Sequence, residues 1–280
     1  MAKKPLVSKI RNAVFLLMSF FLSLALFLLT FSTVLTATIF NSEFIFSSMN
    51  TSNYFVDKKD EITVSLTDLG HASGLDEAFF EDFVDEVMIS SDTKEYLDNY
   101  YAGEGTVIDV TQFKQSFNEA LDEYIEENNI KNVDGESREM LINKAAQIYR
   151  MSLGVPMFSR FSAYILNAKS VIPFAIYGLL LFCIVVCFVL FKANKWKHRA
   201  VKYISCAALG AAFSTAVIPL YLLISGKLTH INLVSRALYN FFIKASSDAC
   251  IAVLFCSLFL LLAGIGLYFL FRRMYKKVSN

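Results

Sequence analysis

No Asp, Glu, Lys, Arg or His occurs between Asn12 and Ser42, and none occurs in 170–191, 203–226 or 249–271. Each run reaches or exceeds the roughly 20 apolar residues that cross a bilayer as a helix. The missing charges also exclude function classes. Ion-coupled transporters, proton relays and voltage sensors need ionisable side chains at mid-membrane depth, because their mechanism moves charge there. The five cysteines, Cys183, Cys187, Cys206, Cys250 and Cys256, all lie inside these runs. The segment 41–169 therefore has no disulfide framework and must be held by packing. Cys183 and Cys187, one helical turn apart, read as small buried hydrophobes.

Histidine is scarce as well, at three residues: His71, His198 and His230. No HExxH, P-loop or GxSxG motif accompanies them, and no EF-hand loop occurs among the acids. No cofactor or metal is implied. If chemistry is present, His71 or His230 would carry it at a membrane surface.

What is abundant is apolar. Hydrophobic residues make up 55% of the 280, with 27 phenylalanines and a mean hydropathy of +0.48. That is the composition of a membrane protein. The first apolar run is far longer than the h-region of a secretory signal, which favours a retained anchor.

The formal net charge is only +1, yet the charges are segregated. Lys3, Lys4, Lys9 and Arg11 precede the first run. Lys192, Lys195, Lys197, Arg199 and Lys202 separate the second and third, and Arg272, Arg273, Lys276 and Lys277 follow the fourth. These three segments contain no acid. By the positive-inside rule they are cytoplasmic. Segment 41–169 holds 24 acidic against ten basic residues, a formal charge of −14, which places it outside and disfavours nucleic acid or any other anionic partner.

The sequence thus predicts an all-α integral membrane protein of the cell membrane, with four transmembrane helices and both termini cytoplasmic. A helical extracytoplasmic domain is inserted between the first and second. The expected order is a cytoplasmic N-terminus (1–11), span one (12–40), the acidic domain (41–169) and span two (170–191). A basic cytoplasmic loop (192–202), span three (203–225) and an extracytoplasmic loop with an amphipathic helix (226–247) follow. Span four (248–271) and a cytoplasmic tail (272–280) complete it.

Within the acidic domain, apolar residues recur at helical spacing. "EITVSLTDL" fits strand or helix, and a helix over 54–71 is chosen because no partner strand is evident. "DEAFFEDFVDEVM" places Phe79, Phe80, Phe83, Val84 and Val87 on one face and Glu77, Glu81, Asp82, Asp85 and Glu86 on the other, with Asp76 placed to cap the start. A helix from about Asp92 to Tyr101 is next. Phe113, Phe117, Leu121, Tyr124 and Ile125 mark a third, capped by Asp109 or Thr111. Met140, Leu141, Ala145, Ile148 and Tyr149 mark a fourth. The acidic face reads first as solvated helix surface and second as a docking surface, with Glu77, Glu81 and Asp85 as candidate contacts.

Span three is dense in small residues, and Ala207, Gly210, Ala211 and Ser214 are the candidates for close helix packing. In the loop after it, Ile231, Val234, Leu238, Phe241 and Phe242 fall on one helical face and Arg236, Asn240 and Lys244 on another. That pattern predicts a short interfacial helix whose stripe, Arg236 and Lys244, contacts lipid or the acidic domain.

The layout of one span, a large exterior domain and three further spans resembles that of FtsX- and MacB-type ABC permeases, in topology and not in any motif. The leading expectation is a non-enzymatic membrane protein whose acidic domain binds or senses a partner, itself another membrane or extracytoplasmic protein. The alternative, which the resemblance implies, is a permease-like or accessory subunit of a complex driven by a separate ATPase.

Overall fold

The computed structural model describes residues 4–71, 73–105, 107–130 and 134–279, with side chains except those of 4–9, 82, 156–157, 159–162 and 278–279. Lys3 and the side chains of Lys4, Lys9 and Asp82 lie outside the described residues. In chain order the helices are α1 (Lys4–Ala37), α2 (Ser42–Thr51), α3 (Tyr54–His71), α4 (Glu77–Phe83), α5 (Glu86–Ala102), α6 (Thr111–Glu127), α7 (Gly135–Leu153), α8 (Pro156–Ala193), α9 (Lys197–Ser225) and α10 (Arg236–Ser279). A 3-10 turn, Lys227–His230, follows α9. No strand occurs among the described residues.

Among the described residues, four helical stretches are long and apolar enough to cross a membrane: Ile10–Ala37, Ala163–Ala193, Lys197–Ser225 and Arg236–Lys277. Their outward faces are apolar, with Phe20, Phe174, Phe188, Phe213 and Phe259 all exposed. Such surface suits lipid rather than water.

The chain divides into two compact units. The first comprises 1–40, 168–230 and 246–280. Here α9 supplies the small residues: Ala207, Ala208, Ala211 and Ala212 are buried. A Cβ on Gly210 would lie 2.9 Å from Ser23 Oγ, so α1 packs against bare backbone at that point. Ser214 is exposed, and Thr215 one residue on is buried instead. Three serine hydroxyls bridge the helices by donating to backbone carbonyls: Ser19 to Tyr203 at 2.7 Å, Ser205 to Gly264 at 2.8 Å and Ser257 to Ala212 at 2.8 Å. With no hydrophobic drive between helices in lipid, close approach and such bonds hold the bundle.

The second unit comprises 41–167 and 231–245. Its core is aromatic. Tyr54, Phe80, Phe113, Phe117, Tyr100 and Tyr149 are all below 2% exposed. The Phe113 and Tyr149 rings stack at 4.2 Å between centroids, and Phe83 meets Phe117 edge-on at 5.1 Å. The ambiguous "EITVSLTDL" is helical, within α3: Ile62 and Leu66 are fully buried while Val64 is 61% exposed.

Three expectations are corrected. First, the helix starting at Glu77 does not run on through Val87. It stops at Phe83, Val84 and Asp85 are extended, and α5 begins at Glu86. At about 100° per residue, a continuous helix would put Ile89 on the side opposite Phe80. The break lets both face one core, and Val87 is left 72% exposed. Asp76 sits at the N-cap of α4 but makes no cap hydrogen bond. Its carboxylate accepts from Tyr124 Oη at 3.3 Å instead. Second, Met140 is 54% exposed, because α7 turns Ala145, Ala146, Tyr149 and Leu153 inward. Third, 231–245 is not a separate short helix. Val234 is fully exposed and non-helical, and Arg236 starts a helix unbroken to Ser279. Ala237 and Phe241 are buried in the second unit's core.

Local side-chain bonds mark two further helix starts. Asp109 Oδ1 accepts the Thr111 N–H at 2.9 Å at the start of α6, and Asp134 Oδ2 accepts the Ser137 N–H at 3.0 Å at that of α7. Gly103 ends α5 with φ +84°, where a side chain would be strained.

Candidate functional site: two charged features of the acidic unit

Lys58 interrupts the apolar stripe Tyr54–Ile62–Leu66 of α3, and it is only 4% exposed. A buried ammonium needs a partner. It donates to Glu61 Oε2 at 2.7 Å. Glu61 then meets two further donors at the start of α10, the Ser235 hydroxyl, whose one proton is shared between the carboxylate oxygens, and the Ala237 N–H. Ser235 Oγ lies 2.8 and 2.9 Å from the two carboxylate oxygens, and the Ala237 N–H donates at 3.2 Å. Ser235 Oγ itself accepts the Leu238 N–H at 3.2 Å, as an N-cap does. The carboxylate therefore sits at the positive end of α10 and supplements its cap. Burial alone would raise its pKa, but the bonds from Lys58, Ser235 and Ala237 outweigh that and hold it below the ordinary value.

Asp57, 7% exposed, completes the cluster. It accepts from Asn240 Nδ2 at 2.6 Å and pairs with Arg236 Nε at 3.2 Å. Arg236 thus finds its partner on α3, and not on the face of Glu77, Glu81 and Asp85. Those three are exposed. Lys244, a turn beyond Asn240, also has an interaction within the chain. The sequence reading missed Asp57, Lys58 and Glu61. The available signal was Lys58 itself, a cation at an i, i+4 position of an apolar stripe.

The second feature is an open groove of about 610 Å³ along α6. Phe79 and Phe83 of α4 and Met88 of α5 supply apolar lining, and each is partly buried against the core. Asp76, Glu119, Glu123 and Glu127 supply four carboxylates, and no cation among the described residues lines it. The α6 residues in it, Ser116, Glu119, Ala120, Glu123, Tyr124 and Glu127, recur at steps of three and one. They form one face of a helix. A second cavity, of about 530 Å³, is lined by Asp134 together with Arg138 and Lys144, so its charge is mixed.

The histidines are placed separately. His71 ends α3 and is exposed. His230 is exposed in the 3-10 turn, with Nδ1 2.9 Å from the Gly226 carbonyl oxygen. His198 is buried against the rings of Trp196, Phe271 and Tyr275. Among the described residues, no group of three or more His, Cys, Asp or Glu is arranged to hold a metal ion. No protein-family model, curated protein or solved structure matches the chain.

Proposed function

We propose that this is a non-enzymatic, multi-pass protein of the cell membrane, with both termini cytoplasmic, whose acidic extracytoplasmic domain binds a protein partner. The observation that carries the reading is the groove along α6, which has apolar lining and four carboxylates with no cation among the described residues. Partly exposed aromatic and methionine surface beside carboxylates is what a recognition site offers. The orientation rests on 13 basic residues in three acid-free segments against a formal charge of −14 in 41–169.

Affinity purification of the full chain from native membranes, at low and high salt, tests the binding. The reading requires a protein recovered with the wild type and lost when Ala120 is replaced by Arg, which fills the groove. Recovery of the same proteins with both chains removes the groove from the account. Cysteine labelling on a cysteine-free background tests the orientation. Asp98→Cys should react from outside the cell, and Lys195→Cys only after permeabilisation.

A further inference from the structure

Glu119, Glu123 and Glu127 stand four residues apart on the groove face of α6. Along a helix that is a step of about 6 Å, repeated over about three turns from Ser116 to Glu127. Ser116 and Ala120 are small and leave the space beside them open. The apolar side chains on the other wall, Phe79, Phe83 and Met88, come from α4 and α5. One wall is thus a regularly spaced acidic ladder, and the other carries the apolar side chains together with the Asp76 carboxylate. Among the described residues, no cation lines the groove beside Glu123 or Glu127, and Glu119 accepts from the Gln115 amide at 3.1 Å.

We propose that the groove takes a basic amphipathic α-helix of the partner protein, laid alongside α6. The partner's apolar stripe would cover Phe79, Phe83 and Met88, and lysines or arginines at four-residue spacing would face Glu119, Glu123 and Glu127. The inference rests on the reading of the acidic unit as a partner-binding domain and adds the chemistry of the partner. Helix-in-groove recognition uses this division of labour, with apolar anchors for affinity and charges for register and approach. The formal charge of −14 on segment 41–169 attracts a cationic segment and repels an acidic one.

The test uses the full chain in nanodiscs of phosphatidylcholine alone, so that the lipid carries no net charge. The probe is a labelled synthetic helix with a leucine stripe and lysines at every fourth position, titrated by fluorescence anisotropy. Saturable binding above that of empty nanodiscs is expected. Glu119→Gln with Glu123→Gln and Glu127→Gln should weaken it about tenfold, since three exposed pairs at ordinary strength amount to that, and should flatten its salt dependence. Ala120→Arg should abolish it. These positions line the surface, so thermal unfolding of the variants should match the wild type. A lysine helix without the leucine stripe binding as well, or either variant binding as tightly as the wild type, would overturn the proposal. If a glutamate version of the leucine helix binds equally and is still blocked by Ala120→Arg, the charge assignment falls and the groove remains a partner site. If no helix binds, the inference falls, and the affinity purification decides the broader reading on its own.

Discussion

Glu61 Oε1 accepts the backbone N–H of Ala237 at 3.2 Å, across 176 positions of chain. One carboxylate thereby neutralises Lys58 and extends the cap of a 44-residue helix. Ala237 and Phe241 are buried behind it in the aromatic core. The start of α10 is held to α3 by charge and by packing together.

Glu61→Ala should destabilise the acidic unit by about 2–4 kcal/mol, because it strands a buried ammonium and unsatisfied donors. Chemical denaturation of the detergent-solubilised chain, followed through an environment-sensitive label in α3, measures this. Adding Lys58→Met should recover part of the loss. Arg236→Ala should cost less than about 1 kcal/mol, since its side chain is 79% exposed.

The pH dependence of the Glu61 contact has a definite sign. Its carboxyl is held below the ordinary 4.5. The unfolded chain therefore takes up the proton first as pH falls. The contribution is full above the unfolded value and is lost as pH drops through the folded one. Glu61→Gln should remove this acid-side loss, read as a flatter unfolding midpoint against pH below about 4.5.

Thr93 is fully buried in α5, and its hydroxyl has no hydrogen-bond partner among the described residues. Thr93→Val keeps the shape and removes the unsatisfied group. It should stabilise the unit by about 1 kcal/mol. A midpoint lower than that of the wild type would show that the hydroxyl is satisfied in solution.

Two glycines mark close approach. A Cβ on Gly70 would lie 2.2 Å from Phe80 Cε2, and one on Gly264 would lie 2.9 Å from Leu209 Cγ and 3.1 Å from the Leu209 backbone nitrogen. Gly70→Ala should cost about 1–3 kcal/mol through forced movement of a core ring. Gly264→Ala should loosen the bundle, whereas Gly266→Ala, with open space around it, should be tolerated. Thermal stability in detergent separates the three.

Phe117→Ala should cost about 3–5 kcal/mol, as a fully buried ring is removed from a packed core. Glu81→Ala, on the exposed face of α4, should be within about 0.5 kcal/mol of neutral. Phe83 is only partly buried and lines the groove, so Phe83→Asp should cost less stability than Phe117→Ala.

Four apolar helices, an all-helical acidic segment and the choice of helix over strand at 54–71 were legible in the residues. Each depends on local periodicity and composition, and hydrocarbon thickness and backbone hydrogen bonding leave few alternatives. The break at Val84–Asp85 needed the tertiary core. The stripes through Phe80 and Ile89 are each helical, but they are out of phase, and only a shared core shows that both must face inward. The pairing of Asp57 and Glu61 with the start of α10 was likewise decided by folding. Sequence spacing places Arg236 and Asn240 on one stripe and says nothing of which of 24 acids in 41–169 comes to meet them. Burial of Lys58 selects the answer. A cation taken out of water requires a carboxylate within reach, and Glu61, one helical turn along α3, carries that carboxylate to the start of α10.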